Sequence, residues 1–178
     1  KGPSAGGPYT WGGHMDAIRD ALTVFGPWRV STHLIVGLGE TEREAVEFIQ
    51  RMADMSVLTG LFAFTPIKGT RLQGLGRPSL QSYRRIQLAH TLVYRGLSSL
   101  SRMSFDPTGR ITDFGVDEET LLSLVFSGEP FMTKGCPDCN RPFYNENPGG
   151  PMYNYPYRPS KQEALREARM MGLLDDAA

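Results

Sequence analysis

The stretch WRVSTHLIVGLGETEREA, residues 28–45, holds a strand, a turn and the start of a helix in succession. WRVSTHLIV is almost wholly apolar and β-branched, which is typical of a strand covered on both faces in a parallel sheet. GLGE then breaks the strand, because glycine favours turns. Thr41 and Glu44 have the spacing of a capping box, which predicts a helix that ends near Met55. The stretch therefore predicts one βα unit.

The rest of the chain continues this alternation of strand and helix. Periodicity and capping residues predict a helix over residues 15–25, a second buried strand over 58–64, a long loop over 65–79, a helix from Ser79 to about Arg95, a third strand over 98–105, a short helix from Asp117 to Ser127, and a last helix opened by a Ser160–Glu163 capping box. This order predicts an α/β fold with a parallel sheet of right-handed βα units. A whole eight-stranded barrel takes ~250 residues, so the chain holds three or four of its units.

Composition excludes several classes of protein. The chain has 178 residues and 40% hydrophobic content, enough for a globular core. Lys plus Arg and Asp plus Glu total 19 each, so no net charge attracts nucleic acid. No apolar run approaches the ~20 residues of a membrane span, and KGPSAGGPYTW lacks an apolar signal core. We therefore expect a soluble cytoplasmic protein with neither nucleic acid nor membrane as partner.

The ends of the two predicted strands are the first candidate sites, because ligands in parallel sheets bind beyond the carboxyl ends of strands. In GLGE, Gly37 and Gly39 can adopt positive φ and let a flat ligand approach around Leu38, while Glu40 can accept hydrogen bonds from a ligand or a neighbouring loop. The alternative is an ordinary strand-to-helix turn, with Glu40 favoured by the helix dipole.

TPIKGTRL follows the second strand and should open at the same edge of the sheet. Pro66 and Lys68 stiffen and turn a segment whose backbone can contact the edge of a heterocycle, and Ile67 can pack on its face. An ordinary βα loop remains the alternative. His33 is predicted to be buried in its strand, and His14 and His90 to lie on the surface or on helix faces. No serine–histidine–acid set stands out.

The chain's two cysteines, Cys136 and Cys139, form a CxxC pair in the loop segment GCPDCNRPFYNE. This spacing lets both sulfurs reach one tetrahedral metal centre. The pair supplies two ligands only, and no second CxxC or histidine pair at metal spacing accompanies it. A metal site, a redox pair and free thiols therefore stay open, although the prolines around the pair favour a metal-binding knuckle over a helix-opening redox pair.

Together these segments resemble the C-terminal half of a radical S-adenosylmethionine (SAM) enzyme of the biotin synthase-related group. HLIVGLGETEREA resembles the superfamily's GxIxGxxE motif at Ile35, Gly37 and Glu40, and departs from it at His33, where the motif has glycine. FTPIKGTRL resembles the segment of the sixth barrel strand that meets the adenine. The tail GCPDCNRPFYNENPGGPMYNYP resembles the C-terminal motif of the subunits that act as two-component lipoyl synthases.

The resemblance implies a fold, a division into domains and two cofactors. The fold would be the C-terminal portion of a radical SAM (β/α) partial TIM barrel over residues 1–127, with a C-terminal extension over 128–178 that carries the cysteine loop and a last helix. The family binds SAM and a [4Fe-4S] cluster, which is held by an N-terminal CxxxCxxC. That triad is absent from this sequence. We therefore expect a fragment of a longer enzyme, inactive alone, although an inactive remnant stays open.

The resemblance also implies a reaction. The intact enzyme would insert sulfur into an octanoyl group on a carrier protein, as a sulfur-transferring transferase. Cys136 and Cys139 would be ligands of an auxiliary iron–sulfur cluster, and SAM would contact Ile35, the Gly37–Glu40 turn and the Pro66–Lys68 segment. Expected partners are a second radical SAM subunit and the octanoylated carrier. No residue is assigned a catalytic role.

A non-catalytic module is the alternative function. In that hypothesis the CPDC loop binds zinc, and the nearby aromatic residues Phe143, Tyr144, Tyr153 and Tyr155 form a docking surface, since aromatic residues favour interfaces. It explains the missing cysteine triad without truncation.

Overall fold

The computed structural model describes residues 2–134, 146 and 149–174. Its helices and strands, in chain order, are α1 Trp11–Phe25, β1 Ser31–Val36, α2 Glu42–Asp54, β2 Leu58–Ala63, α3 Leu80–Tyr94, β3 Ser104–Phe105, β4 Ile111–Asp113, α4 Glu118–Ser127 and α5 Lys161–Met171. The fold is therefore mixed α/β, as predicted. Within these residues, no helix combines the length and the apolar character needed to cross a bilayer.

The β1–α2–β2 unit confirms the interpretation of residues 28–45. Strands β1 and β2 pair in parallel, in a register that runs from Ser31 opposite Leu58 to Val36 opposite Ala63. Both halves of the predicted capping box are present at the start of α2: the Glu44 N–H donates to Thr41 Oγ1 at 3.2 Å, and the Thr41 N–H donates to Glu44 Oε2 at 2.8 Å. This reciprocal pairing satisfies backbone donors that the first helical turn leaves free.

The prediction that the first strand is covered on both faces is wrong. Side chains alternate between the two faces of a strand, and Val36 and Leu61 belong to a core cluster with residues of α2 and α3. On the other face Ile35 and Leu58 remain 47% and 44% exposed. No element among the described residues covers that side, which we call the open face. An apolar run alone cannot distinguish one covered face from two.

The outer edges of this two-stranded sheet are also unpaired among the described residues. The N–H of Leu58 donates to Val30 O, and that of Phe64 donates to Val36 O. In a parallel ladder, Thr59, Leu61 and Ala63 must then direct their backbone groups away from β1. A two-stranded sheet is seldom stable by itself, so its stability here depends on the packing of α2 and α3.

The predicted third strand over residues 98–105 is largely wrong. Residues Leu100–Arg102 form a 3-10 turn, and only Ser104–Phe105 is extended. This short β3 pairs antiparallel with β4 in a separate hairpin, around a turn over residues 106–109 (DPTG) in which the Gly109 N–H donates to Asp106 O. The serine-rich segment has too few apolar residues to form a buried central strand of a parallel sheet.

The C-terminal elements pack on the same core as the βα unit. The larger core cluster joins Ile86 and Leu92 of α3 to Phe131, Tyr153 and residues of α5. The predicted Ser160–Glu163 capping box is present at the start of α5. Residues on both sides of position 127 thus contribute to one hydrophobic cluster, and the predicted domain boundary there stays a prediction.

The prediction that His33 is buried is wrong, whereas His90 lies on a helix, as predicted, and on its buried face. His33 lies on the open face and is exposed, with its ring 4.7 Å from that of Phe62. His90, on α3, is only 6% exposed; its Nε2 donates to Thr59 O at 2.8 Å, and its ring stacks on Tyr94. Burial lowers the pKa of His90 to about 4, and the nearby Lys134 charge acts in the same direction.

This buried imidazole predicts a loss of stability in mild acid. An unfolded histidine binds a proton near pH 6.5, whereas folded His90 does so only near pH 4. The free energy of unfolding should therefore fall as the pH drops from 6.5 towards 4, by about 3 kcal/mol in all. Urea unfolding across this range measures it. His90→Gln should flatten this part of the profile, and His14→Gln, at an exposed position, should not. A wild-type profile identical to that of His90→Gln would contradict the prediction.

Candidate functional site

The GLGE turn at the carboxyl end of β1 has the predicted backbone. Gly37 and Gly39 have φ of 107° and 115°, values that residues with a side chain rarely adopt. Glu40 stabilises the turn from within, because its carboxylate accepts the N–H of Gly37 at 2.5 Å and the N–H of Leu38 at 2.9 Å. Its hydrogen bonds therefore go to its own turn, and the predicted acceptor for neighbouring loops is engaged locally.

The two glycines have different surroundings. A Cβ on Gly37 would lie 2.7 Å from Pro78 Cδ, so the absence of a side chain there permits packing against the end of the long loop. A Cβ on Gly39 would meet no atom within 4 Å. Open space for a ligand thus lies at Gly39 rather than at Gly37, and Leu38 between them is exposed.

The TPIKGT segment follows β2 but lies at the surface. Ile67 is 65% exposed and Lys68 is exposed, whereas Pro66 is half-buried. The segment forms a tight turn in which the Thr70 N–H and hydroxyl both donate to Ile67 O. The structure does not place Ile67 against Ile35, so these two predicted contacts are not brought together.

A cleft of about 510 Å³ lies at the carboxyl ends of β1 and β2, and we call it the mouth cleft. Its lining residues are Ile35, Phe62, Ala63, Phe64, Thr65, Arg77, Glu146 and Asn154. One side is apolar and belongs to the strands, and the other carries a cation, a carboxylate and an amide. Of the predicted site residues, only Ile35 lines this cleft.

The polar side of the mouth cleft was not predicted from the sequence. Arg77 comes from the end of the long loop, and its Nη2 lies 3.2 Å from Glu146 Oε2 and 3.3 Å from Thr65 Oγ1. Its guanidinium lies over the Tyr153 ring, 4.4 Å from the centroid. A lone arginine in a loop carries no periodic pattern, and its partners lie 69 and 76 positions away in the sequence. The one sequence signal for a role in binding is the position of Arg77 in the loop that follows β2.

A second cleft of about 450 Å³ lies near the amino ends of β1 and β2. His33, His90 and Tyr94 are among its lining residues, together with Arg95, which forms an ion pair with Glu129. Burial lowers the pKa of Lys134 at its margin. None of the residues predicted to bind SAM lines this cleft.

The predicted metal ligands Cys136 and Cys139 lie outside the described residues. Among the residues that the structure does describe, no three or more His, Cys, Asp or Glu side chains are grouped so as to hold a metal ion.

Comparisons with known proteins add no relatives. Neither protein-family models, nor curated proteins, nor solved structures gave a significant match to this chain.

Glu40 should be required for the shape of the GLGE turn. Replacing it by glutamine leaves one oxygen for two N–H donors and turns an NH₂ group towards one of them, which weakens the turn by about 1–3 kcal/mol. We expect amide exchange at Gly37 and Leu38 to accelerate at least tenfold, with helix amides unchanged. Glu47→Gln, on an exposed face of α2, is the control. Unchanged exchange at both amides would show that the carboxylate does not hold the turn.

Proposed function

We propose that residues 1–178 are part of a radical SAM enzyme and that the carboxyl ends of β1 and β2 contact the adenosyl part of SAM. The observation that best supports this is the coincidence of three features at one edge of a parallel sheet. A turn of two positive-φ glycines is braced by Glu40, Ile35 presents an exposed apolar side chain beside it, and the mouth cleft opens there. Each matches the residues on which the resemblance rests.

The chemical character of these residues suits an adenosyl group. Ile35, with 47% of its surface exposed, offers an apolar wall for the adenine ring. The open space over Gly39 admits a flat group close to the backbone, and Glu40 keeps that backbone in place. In this proposal the exposed Pro66–Lys68 segment contacts the edge of the adenine. SAM would be the source of a carbon radical in the intact enzyme.

The partial barrel follows as a proposal about the wider fold. The open face and the outer edges of β1 and β2, unpaired in the part of the chain that the structure describes, are what strands of a larger parallel sheet would leave when their neighbours belong to another segment. Further strands would cover Leu58 and His33, while Ile35, at the carboxyl end of β1, would remain open to the ligand in the mouth cleft. The three thiolates of the SAM-binding cluster would come from that segment, since the chain has only two cysteines.

The specific reaction proposed is sulfur insertion into an octanoyl group on a carrier protein. It rests on the tail motif around Cys136 and Cys139, which we propose as ligands of an auxiliary iron–sulfur cluster. This cluster would supply the sulfur, and the 5′-deoxyadenosyl radical from SAM would take the hydrogen that the sulfur replaces. The carrier and a second radical SAM subunit are its proposed partners, in the cytoplasm.

The docking-module hypothesis receives less support. Tyr153 and Tyr155 are 5% and 8% exposed and belong to the core cluster. Neither can contribute to a docking surface without unfolding that core. The other two aromatic residues of the hypothesis, Phe143 and Tyr144, lie outside the described residues.

Anaerobic reconstitution tests the reaction. The intact enzyme that contains this chain is supplied with iron, sulfide, SAM, a reductant and an octanoylated carrier, and the mass of the carrier is measured. We expect sulfur to be added to the octanoyl chain. A hexanoylated carrier is the control and should gain less sulfur, because its acyl chain is two carbons shorter than that of the proposed substrate. SAM cleavage without thiolated product would exclude the lipoyl assignment and leave only the superfamily.

A further inference from the structure

Arg77 is the cation of the mouth cleft, and most of its hydrogen-bonding capacity is unused. Its Nη2 makes both of its polar contacts, to Glu146 and to Thr65. Among the described residues, Nε and Nη1 have no hydrogen-bond partner. A guanidinium carries five N–H donors in a planar fork that matches a carboxylate. The side chain is 19% exposed although Nε itself is buried, so a ligand in the cleft can reach the guanidinium through its Nη atoms.

The orientation of Arg77 does not depend on its ion pair. The Tyr153 ring supports the guanidinium at 4.4 Å, and the Tyr153 hydroxyl donates to Pro78 O at 2.7 Å. This hydrogen bond fixes the ring to the residue that follows Arg77. The fork is therefore held in place before any ligand binds, which lowers the entropic cost of binding.

The Arg77–Glu146 contact is loose compared with another pair in the same protein. Charge-assisted N–H to carboxylate bonds are usually about 2.7–2.9 Å long and often bidentate. The Arg77 contact is a single one at 3.2 Å, whereas Arg85 Nε lies 3.0 and 2.9 Å from the two oxygens of Glu42 and a second nitrogen also bonds. Arg85–Glu42 has the geometry of a structural pair. Glu146, by contrast, makes one long contact with Arg77, and its other oxygen accepts the Tyr153 N–H at 3.1 Å.

We propose that Arg77 binds the carboxylate of the ligand of the mouth cleft, and that Glu146 occupies this position when the cleft is empty. Ile35, Phe62 and Phe64 line the same cleft, so the ligand carries its carboxylate on an apolar or aromatic body. Two sources share this chemistry. One is an amino-acid-bearing nucleoside, and this choice rests on the proposed function. The other is a medium-chain carboxylic acid, and this choice is independent of the proposed function.

NMR titration of residues 1–178 tests the proposal, because it measures millimolar affinities. Two pairs of probes compare an acid with a neutral partner. Octanoate and octanamide differ in the carboxylate alone, whereas 5′-methylthioadenosine lacks the whole amino-acid group of S-adenosylhomocysteine, so the Arg77 variants below are needed to assign a difference in that pair to the carboxylate. In at least one pair the acid should bind about tenfold more tightly than its neutral partner, the effect of one charge-assisted hydrogen-bonded contact.

Variants test whether Arg77 causes the preference for the acid. Arg77→Gln should bring the acid down to the affinity of its neutral partner, with the neutral probe unchanged. Arg71→Gln, an exposed arginine of the same loop, removes the same charge and should have no effect. Glu146→Gln should strengthen acid binding about threefold, since it removes the competing carboxylate. If Arg77→Gln fails to fold, Arg77→Lys replaces it and should lose most of the preference along with the fork.

The outcomes separate the two claims. If no acid is preferred, or if Arg77→Gln weakens acid and neutral probes alike, the carboxylate proposal is overturned. Weaker or unchanged acid binding by Glu146→Gln overturns the role of Glu146. If neither adenosine compound binds but octanoate does so through Arg77, the proposal stands and the SAM assignment of the cleft fails. If both adenosine compounds bind equally and no variant matters, the SAM assignment keeps its support and the proposal fails.

Discussion

Arg84→Ala is expected to lower the free energy of unfolding by about 3–5 kcal/mol, the usual cost of leaving a buried charge without its partner. Arg84 is fully buried, and its Nε donates to Glu167 Oε2 at 2.7 Å. Its other nitrogens donate to Gln87 and to the carbonyls of Tyr153 and Met152. Truncation would remove the cation from the Glu167 carboxylate, which is only 4% exposed and would keep the Tyr155 hydroxyl as a donor. Urea unfolding followed by circular dichroism measures the change.

Two further variants show whether the lost partner is the cause. Removing both charges in Arg84→Met/Glu167→Leu should cost less than Arg84→Ala alone, because no unpaired charge remains. Arg19→Ala breaks the exposed pair with Asp16 and should change stability little. Both variants lose the carbonyl contacts of Arg84, so a double variant less stable than Arg84→Ala would show that the unpaired charge is not the main cost. It would indicate instead that Glu167 stabilises the core through the Tyr155 hydroxyl, which donates to it at 2.6 Å.

The second large effect is expected at the cysteine pair. In the intact enzyme, Cys136→Ala/Cys139→Ala should remove one cluster's worth of iron and abolish sulfur insertion, while SAM cleavage continues. The reason is that alanine cannot supply the thiolates that bind iron in such clusters. Iron and sulfide are quantified on the anaerobically reconstituted enzyme, together with 5′-deoxyadenosine and carrier mass.

Asp138→Ala is the control within the same loop, and it should retain both iron and product. An unchanged iron content in the double cysteine variant would show that Cys136 and Cys139 do not hold an auxiliary cluster. Loss of SAM cleavage as well as iron would place the cysteines at the SAM-binding cluster, contrary to the proposal.

Local signals predicted the secondary structure well where several of them agreed. Thr41 and Ser160 each begin a helix with the predicted capping box, because that pairing needs only residues three apart. The strand over 98–105 was wrong because the expectation rested on alternation with neighbouring helices rather than on the apolar content of the segment. Burial was harder to predict: His33 and His90 have opposite environments that depend on which sheet face the helices cover.

The candidate site was predictable only in its backbone. Glycines and Glu40 define the GLGE turn through contacts within four residues, so the sequence indicates them. Arg77, Glu146 and Tyr153 meet through tertiary packing of a loop on the C-terminal segment. The sequence has no periodic pattern that indicates such tertiary contacts. Ile67 is 65% exposed, and its contact with a ligand stays a prediction.

The central claim is that this chain belongs to an enzyme that cleaves SAM reductively. The most direct test is the formation of 5′-deoxyadenosine by the anaerobically reconstituted intact enzyme with SAM and a low-potential reductant, measured by mass spectrometry. Wild type is compared with Gly39→Val, which places a branched side chain in the open space over the turn. We predict protein-dependent 5′-deoxyadenosine from wild type and at least tenfold less from the variant. An iron-replete wild type that forms none would contradict the assignment to radical SAM chemistry.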